Sequence, residues 1–485
     1  FTSPSFGHRL EPLSVLPLGS SLAVLARSLP WPRGLVLSAV QESAQQHKAS
    51  GSCRSTARQL TRPGCFVIPS NISFRLPRYA MSLAMAMLAC TTTVLAQDEP
   101  PRLRTIFKNN AILLVENLPK AKYVSVQLFA STKHLPDTPE THGYRHLLEH
   151  LCLKGPNKDL DLQNERQGIF FLGRTLRDAM QVEFTCNPSQ IPICLDALKQ
   201  ILQPVNVTHE DIAAEVRVMK QELALETDEQ KLSAAAWAEA YDEEGLDPFG
   251  DISVMEKATP QALRDYQSKL CDPANLVLVI SGPLDVEAVT KLASPILDDG
   301  SRKIDEGKLQ PREEPGSGRA TPPTFERAAG VPGRKNISGA FGEARGARVA
   351  GWREAKTAYA LAAALAVASQ LDSPFVTYTP SGYNGLIILG RTDDTSGVGL
   401  KIDEMQEGDV SALFPIGKIL ARRWLLRQLE QPSSSAYIRG LLMCQSASNK
   451  PDDFLATIDA MTWQDFFHGF VLFREANADI VVGTR

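Results

Sequence analysis

The chain lacks the features that announce several common classes of protein. It has no Cys-x-x-Cys pair, and five of its eight cysteines lie beyond residue 96, an odd number. No disulfide framework is implied, and buried thiols are the expectation. No apolar run is long enough to span a bilayer; the best, Ser82 to Leu95, has fourteen residues, short of the roughly 20 a helix needs. There is no excess of one charge: the formal net charge is −4, which gives no reason to expect nucleic acid or an acidic membrane as partner. No short-period repeat is visible. What remains is ordinary for a globular protein, 43% apolar and 22% charged, with a length that suggests about two to four domains.

The charge is unevenly spread. Residues 1–80 carry nine basic and two acidic side chains, so they hold +7 and the remainder −11. They show no sustained period of 3.6 or 2 and read as an unstructured or leader extension. Arg75 and Arg78 then precede Met81, the apolar stretch Ser82–Leu95 and a small-residue end at Val94-Leu95-Ala96. This is the pattern of a secretory signal peptide over 81–96, which implies a periplasmic or secreted protein. The competing reading is an Arg-rich, acid-poor mitochondrial presequence.

Beyond residue 97, helix and strand patterns alternate. Ile112–Val115, Val124–Phe129 and Leu276–Ser281 read as strands. Helices are expected over about Tyr144–Leu153, Ile191–Gln203, Thr208–Thr227 (capped by Thr208, with Asp211 in its first turn) and Pro260–Leu270. Residues 301–350 are rich in Gly, Pro, Arg and Glu and read as a linker. After it come helices at Thr357–Gln370, Ile416–Gln428 and Trp463–Leu472, with strands at Leu386–Leu389 and Asp479–Val482. The domains are therefore expected at 97–300 and 351–485, both α+β.

His146-Leu-Leu-Glu149-His150 carries the chemistry. Two imidazoles at i and i+4 leave a helix on one face, a turn apart, so both can bind one Zn²⁺. Glu149 is placed to act as general base on a water at that metal. The order His-x-x-Glu-His is that of the inverzincin peptidases, so the chain reads as a zinc-dependent peptidase. A third ligand must come from elsewhere. The helix over 208–227 offers Glu215, Glu222 and Glu226 on one face, and spacing does not choose among them. His134, His142 and His209 read as loop or cap residues, with His142 close enough to the motif to be a conceivable ligand.

Gly143-Tyr-Arg-His146-Leu-Leu-Glu149-His150-Leu-Cys-Leu-Lys154-Gly155 resembles the active-site helix of the pitrilysin and mitochondrial processing peptidase family. Glu165–Gly168, Thr175–Asp178, Asp247–Gly250 and Cys271–Gly282 are similar to segments of the same family, so the resemblance runs over about Arg104 to Leu297. Beyond it, only helix and strand style matches. The resemblance implies that Glu222 is the third zinc ligand and that Glu215 supports the site without binding metal. It also implies two related α+β domains, each an antiparallel-rich sheet backed by helices, one Zn²⁺ per chain, and a peptide substrate paired with a sheet edge. A second half of the same family is implied as partner, in a homo- or heterodimer. The alternative is a non-catalytic scaffold or partner subunit of such a peptidase.

Two departures stand out. Where the family usually has Asn-Ala before the Thr, this chain has Leu172-Gly173. The Arg and Tyr with which active members hold the peptide have no convincing counterpart. Tyr378 and Tyr383 follow Ser369 as though a segment were missing, and read as packing residues.

Overall fold

The computed structural model describes residues 101–132, 135, 137–241, 246–297, 301–303, 332–371, 373–380, 385–392, 401–446 and 450–484. The leader, the signal-like segment, His134 and Tyr383 lie outside them.

The first half runs β1 (Arg102–Phe107), β2 (Ile112–Asn117), β3 (Val124–Ser131), α1 (Tyr144–Leu153), α2 (Leu160–Arg166), β4 (Phe170–Thr175) and β5 (Ala179–Cys186). It continues with α3 (Ile191–Ile201), α4 (His209–Ala224), α5 (Asp228–Tyr241), α6 (Ile252–Met255), α7 (Pro260–Leu270), β6 (Leu276–Gly282), α8 (Val286–Leu297) and β7 (Ser301–Lys303). The second half holds β8 (Arg334–Ser338), β9 (Gly342–Val349), α9 (Ala355–Ala368), β10 (Pro374–Tyr378) and β11 (Gly385–Arg391). It ends with α10 (Glu407–Glu430), α11 (Pro432–Gln445), α12 (Pro451–Ala460), α13 (Trp463–Val471) and β12 (Asp479–Thr484).

The two sheets repeat one plan. The first has the order β4-β5-β3-β6-β2-β1-β7, the second β10-β11-β9-β12-β8. Both are antiparallel except for one pair, β2 with β6 and β12 with β8. Matched from the β4 and β10 edges inward, the five strands correspond one for one. The motif helix α1 and the Ala-rich α9 then occupy the same place, each following a central strand and preceding an edge strand. The repeat is one of topology: α9 contains no histidine.

The halves exchange helices. Helix α5, from the first half, lays Leu232, Ala236 and Ala240 against Ala344, Leu386, Ile388 and Val481 of the second sheet. Helix α11, from the second, brings Ala436, Met443 and Cys444 to Ile112, Leu114, Phe129, Val277 and Val279 of the first. This is why β2, β3 and β6 are buried along their length: both sheet faces are covered, so β6 reads as an apolar run and the Ser125 and Gln127 of β3 are buried with it.

The expected helices and strands are present with three differences. The stretch 301–350 is not merely a linker, since β7, β8 and β9 fall inside it. Strand β9, Gly-Glu-Ala-Arg-Gly-Ala-Arg-Val, escapes apolar periodicity because its buried charges are paired. Arg345 meets Glu343 at 3.0 Å and Asp403 at 2.6 Å, and Arg348 meets the fully buried Asp479. Helix α10 starts nine residues earlier than expected and continues through Pro415. Helix α4 ends at Ala224, short of Glu226.

Candidate metal centre

Helix α1 is fixed from both sides. Leu147, Leu148 and Leu151 are buried in the first core. Gly143 precedes it at φ 101°, a left-handed value that favours glycine. Gly250, at φ 94°, lies so close that a Cβ on it would fall 2.1 Å from the Gly143 Cα. This backbone contact brings the loop 246–250 over the start of α1. Arg177 holds that loop by donating to the Leu246 carbonyl at 2.6 Å, and the His142 Nε2 lies 2.8 Å from the Asp247 carbonyl. His142 is therefore committed to the loop and not to a metal group.

The loop in turn sets His146. Its Nδ1 is 2.9 Å from the Phe249 carbonyl. A carbonyl only accepts, so Nδ1 carries the proton and Nε2 keeps its lone pair. The same logic applies to His150, whose Nδ1 lies 3.4 Å from the Glu215 Oε2. Lys154, one turn on, pairs with the other Glu215 oxygen. Both Nε2 atoms face the Glu222 Oε2, at 3.7 Å from His146 and 3.5 Å from His150. Taken together, one ligand atom from each of His146, His150 and Glu222 lies within 4.8 Å of the others.

Three lone-pair donors converging without a proton or cation between them repel one another. Protonation relieves that repulsion, and the surroundings of His150 favour it. Burial disfavours a charged His150, but contacts with Glu215 and Glu222 and the charge of Glu149 outweigh it and lift its pKa to about 10. Burial likewise opposes the charged forms of Glu215 and Glu222. For Glu215, His150 and Lys154 outweigh that cost and hold the carboxyl below its usual range; for Glu222, His150 and then His146 do so. The donor set, two neutral imidazoles and a carboxylate, fits a catalytic zinc, whose three protein ligands leave a fourth position open. Glu222 is 43% exposed, so the cluster opens toward solvent.

Of the three acids that spacing left open, Glu222 reaches the rings, Glu215 lies behind His150, and Glu226 falls past the end of α4. Glu149 is 7% exposed and accepts from the Thr175 hydroxyl at 2.6 Å. Thr175, Lys154 and the Phe249 carbonyl are the parts that sequence reasoning did not assign. Lys154 stood in the family-like segment without a role, and a backbone carbonyl has no side-chain signature. His209 is an exposed first residue of α4. Tyr378 packs among Trp352 and Trp424.

The chain is similar to several known proteins. Residues 112–247 match the family described as insulinase, peptidase family M16. The chain is 24% identical over 199 residues to an uncharacterised zinc protease of Streptomyces coelicolor. It is 26% identical over 199 residues to the mitochondrial-processing peptidase subunit beta of Neurospora crassa. Each alignment takes in 39% of this chain and 43% or 41% of the relative, so the match spans about two fifths of those proteins. The fold is similar to that of a protease from Helicobacter pylori, with a TM-score of 0.64 at 15% identity, over 80% of this chain and 100% of that one. The resemblance to the pitrilysin and mitochondrial processing peptidase family is borne out, and with it the two-sheet α+β fold.

Proposed function

We propose that the chain is a zinc-dependent endopeptidase that hydrolyses extended peptides. The observation that carries the reading is the convergence of His146, His150 and Glu222 within 4.8 Å on a helix pair that also presents Glu149. Zinc held by these three residues would supply Lewis acidity toward a substrate carbonyl and acidify a water beside it. Glu149 accepts the proton of the attacking water and passes it to the departing amine. Glu215, braced by Lys154, keeps the His150 ring oriented with its Nε2 toward Glu222. Strand β4 is the outer strand of its sheet and passes Glu149, so a substrate strand added there would lie along the site. A second half of the same family is proposed as partner, and export as its destination on the strength of the signal-like 81–96. Among the described residues no helix is long and apolar enough to cross a membrane.

The test is metal content and cleavage of a quenched peptide by the full chain, alone and with a second half. One zinc per chain is expected. Glu149→Gln should lose turnover by at least about a hundredfold while retaining zinc. A chain that binds no zinc, or a Glu149→Gln variant with wild-type turnover, refutes the reading.

A further inference from the structure

Strand β4 faces the motif helix along Gly173 and Thr175. We propose that Gly173 and Thr175 form a seat that positions the Glu149 carboxylate, an inference that rests on the reading of Glu149 as proton carrier.

Residues two apart on a strand share a face, and here that face is turned to α1. Thr175 Oγ1 is 2.6 Å from Glu149 Oε2. An ionised carboxylate only accepts, so the hydroxyl donates, and the bond is charge-assisted. A Cβ on Gly173 would fall 2.6 Å from the Glu149 Cγ, 2.6 Å from its Oε1 and 2.8 Å from the Leu153 Cδ1. The carboxylate therefore occupies the space that a methyl group at 173 would take. The strand that bears the seat is itself held. Gly173 pairs with Val182 and Thr175 with Met180, while Arg174 on the opposite face meets Glu183 at 3.2 Å and Gln181 at 3.3 Å. A glutamate has several rotatable bonds, and a buried seat removes the freedom that would otherwise blur its aim.

Three substitutions test the seat: Thr175→Val, Thr175→Ser and Gly173→Ala, each assayed for zinc content, kcat and KM on a quenched peptide. Thr175→Val should lower kcat by about ten- to a hundredfold, with KM and zinc content unchanged. Thr175→Ser should restore most of that loss, and Gly173→Ala should lower kcat in the same way as Thr175→Val. Should Thr175→Val fail to fold, Gly173→Ala carries the kcat test, because it leaves the hydroxyl in place. A second readout needs neither metal nor turnover. In urea unfolding of the metal-free chain, the cycle of Thr175→Val and Glu149→Ala should show coupling of about tenfold in the unfolding equilibrium. Wild-type kcat in Thr175→Val, or additivity in the cycle, overturns the proposal. A wild-type chain that cleaves no peptide counts against the peptidase reading, and the cycle still decides the seat.

Discussion

Glu215 shows how much of a metal site lies behind its ligands. It is 6% exposed and touches His150 Nδ1 on one side and Lys154 on the other, while the convergent group is His146, His150 and Glu222. Removal of Glu215 leaves His150 free to turn. Glu215→Ala should therefore weaken zinc binding by about ten- to a hundredfold, measured by competition with a chelating dye, while the fold stays intact by circular dichroism. The pair His146 and His150 was legible from its spacing, because i and i+4 must share a helix face whatever the surroundings. The choice among Glu215, Glu222 and Glu226 was not legible from spacing. All three are acids within twelve residues, and which one meets the rings depends on how α4 lies against α1 and where it stops.

Helix α4 carries Glu215 and Glu222, so its first turn matters to the site. Thr208 and Asp211 form a reciprocal cap: Thr208 Oγ1 accepts from the Asp211 amide, and the Asp211 carboxylate accepts from the Thr208 amide at 2.8 Å and from Lys158 at 2.7 Å. The Lys158 contact and the Thr208 bonds lower the Asp211 pKa from 3.8 to about 2. A depressed carboxylate contributes stability above its unfolded value, and that contribution is lost as pH falls from about 4 through about 2. Asp211→Asn should therefore flatten the acid limb of unfolding over that window, read by urea titrations at several pH values. At neutral pH it should cost no more than about 1 kcal/mol. Helix α11 obeys a different constraint. A Cβ on Gly440 would fall 2.1 Å from the Phe129 ring, so Gly440→Ala should destabilise by about 1–3 kcal/mol in the same assay. The cap of α4 was legible from Thr208 and Asp211 alone. The need for glycine at 440 was not, since Phe129 is more than three hundred residues away.

The two halves of the described chain are joined by the helix exchange, and the seam contains buried charge. Glu116 of β2 meets Arg439 of α11 at 2.9 Å, and its other oxygen accepts from Ser435 at 2.7 Å and Ser281 at 3.0 Å. Arg439→Ala strips the partner from an acid 1% exposed. The expected loss is about 3–5 kcal/mol, seen as a lower urea midpoint, with zinc content preserved in the fraction still folded. Nothing in either segment announces this pairing: Glu116 sits at the end of a strand and Arg439 in a helix that carries no clear apolar stripe. The second sheet was likewise hard to read, because β9 carries arginines whose partners include Asp403 and Asp479, far along the chain. By itself the sequence determined the elements with strong local periodicity, the cap of α4, and the His-x-x-Glu-His helix. Each depends on residues within a few turns, where backbone geometry dictates what shares a face. Tertiary structure decided which acid joins the two imidazoles, how Glu149 is seated against β4, and how the halves trade helices. Those outcomes turn on contacts between residues tens to hundreds apart, whose energies arise only when packing excludes water.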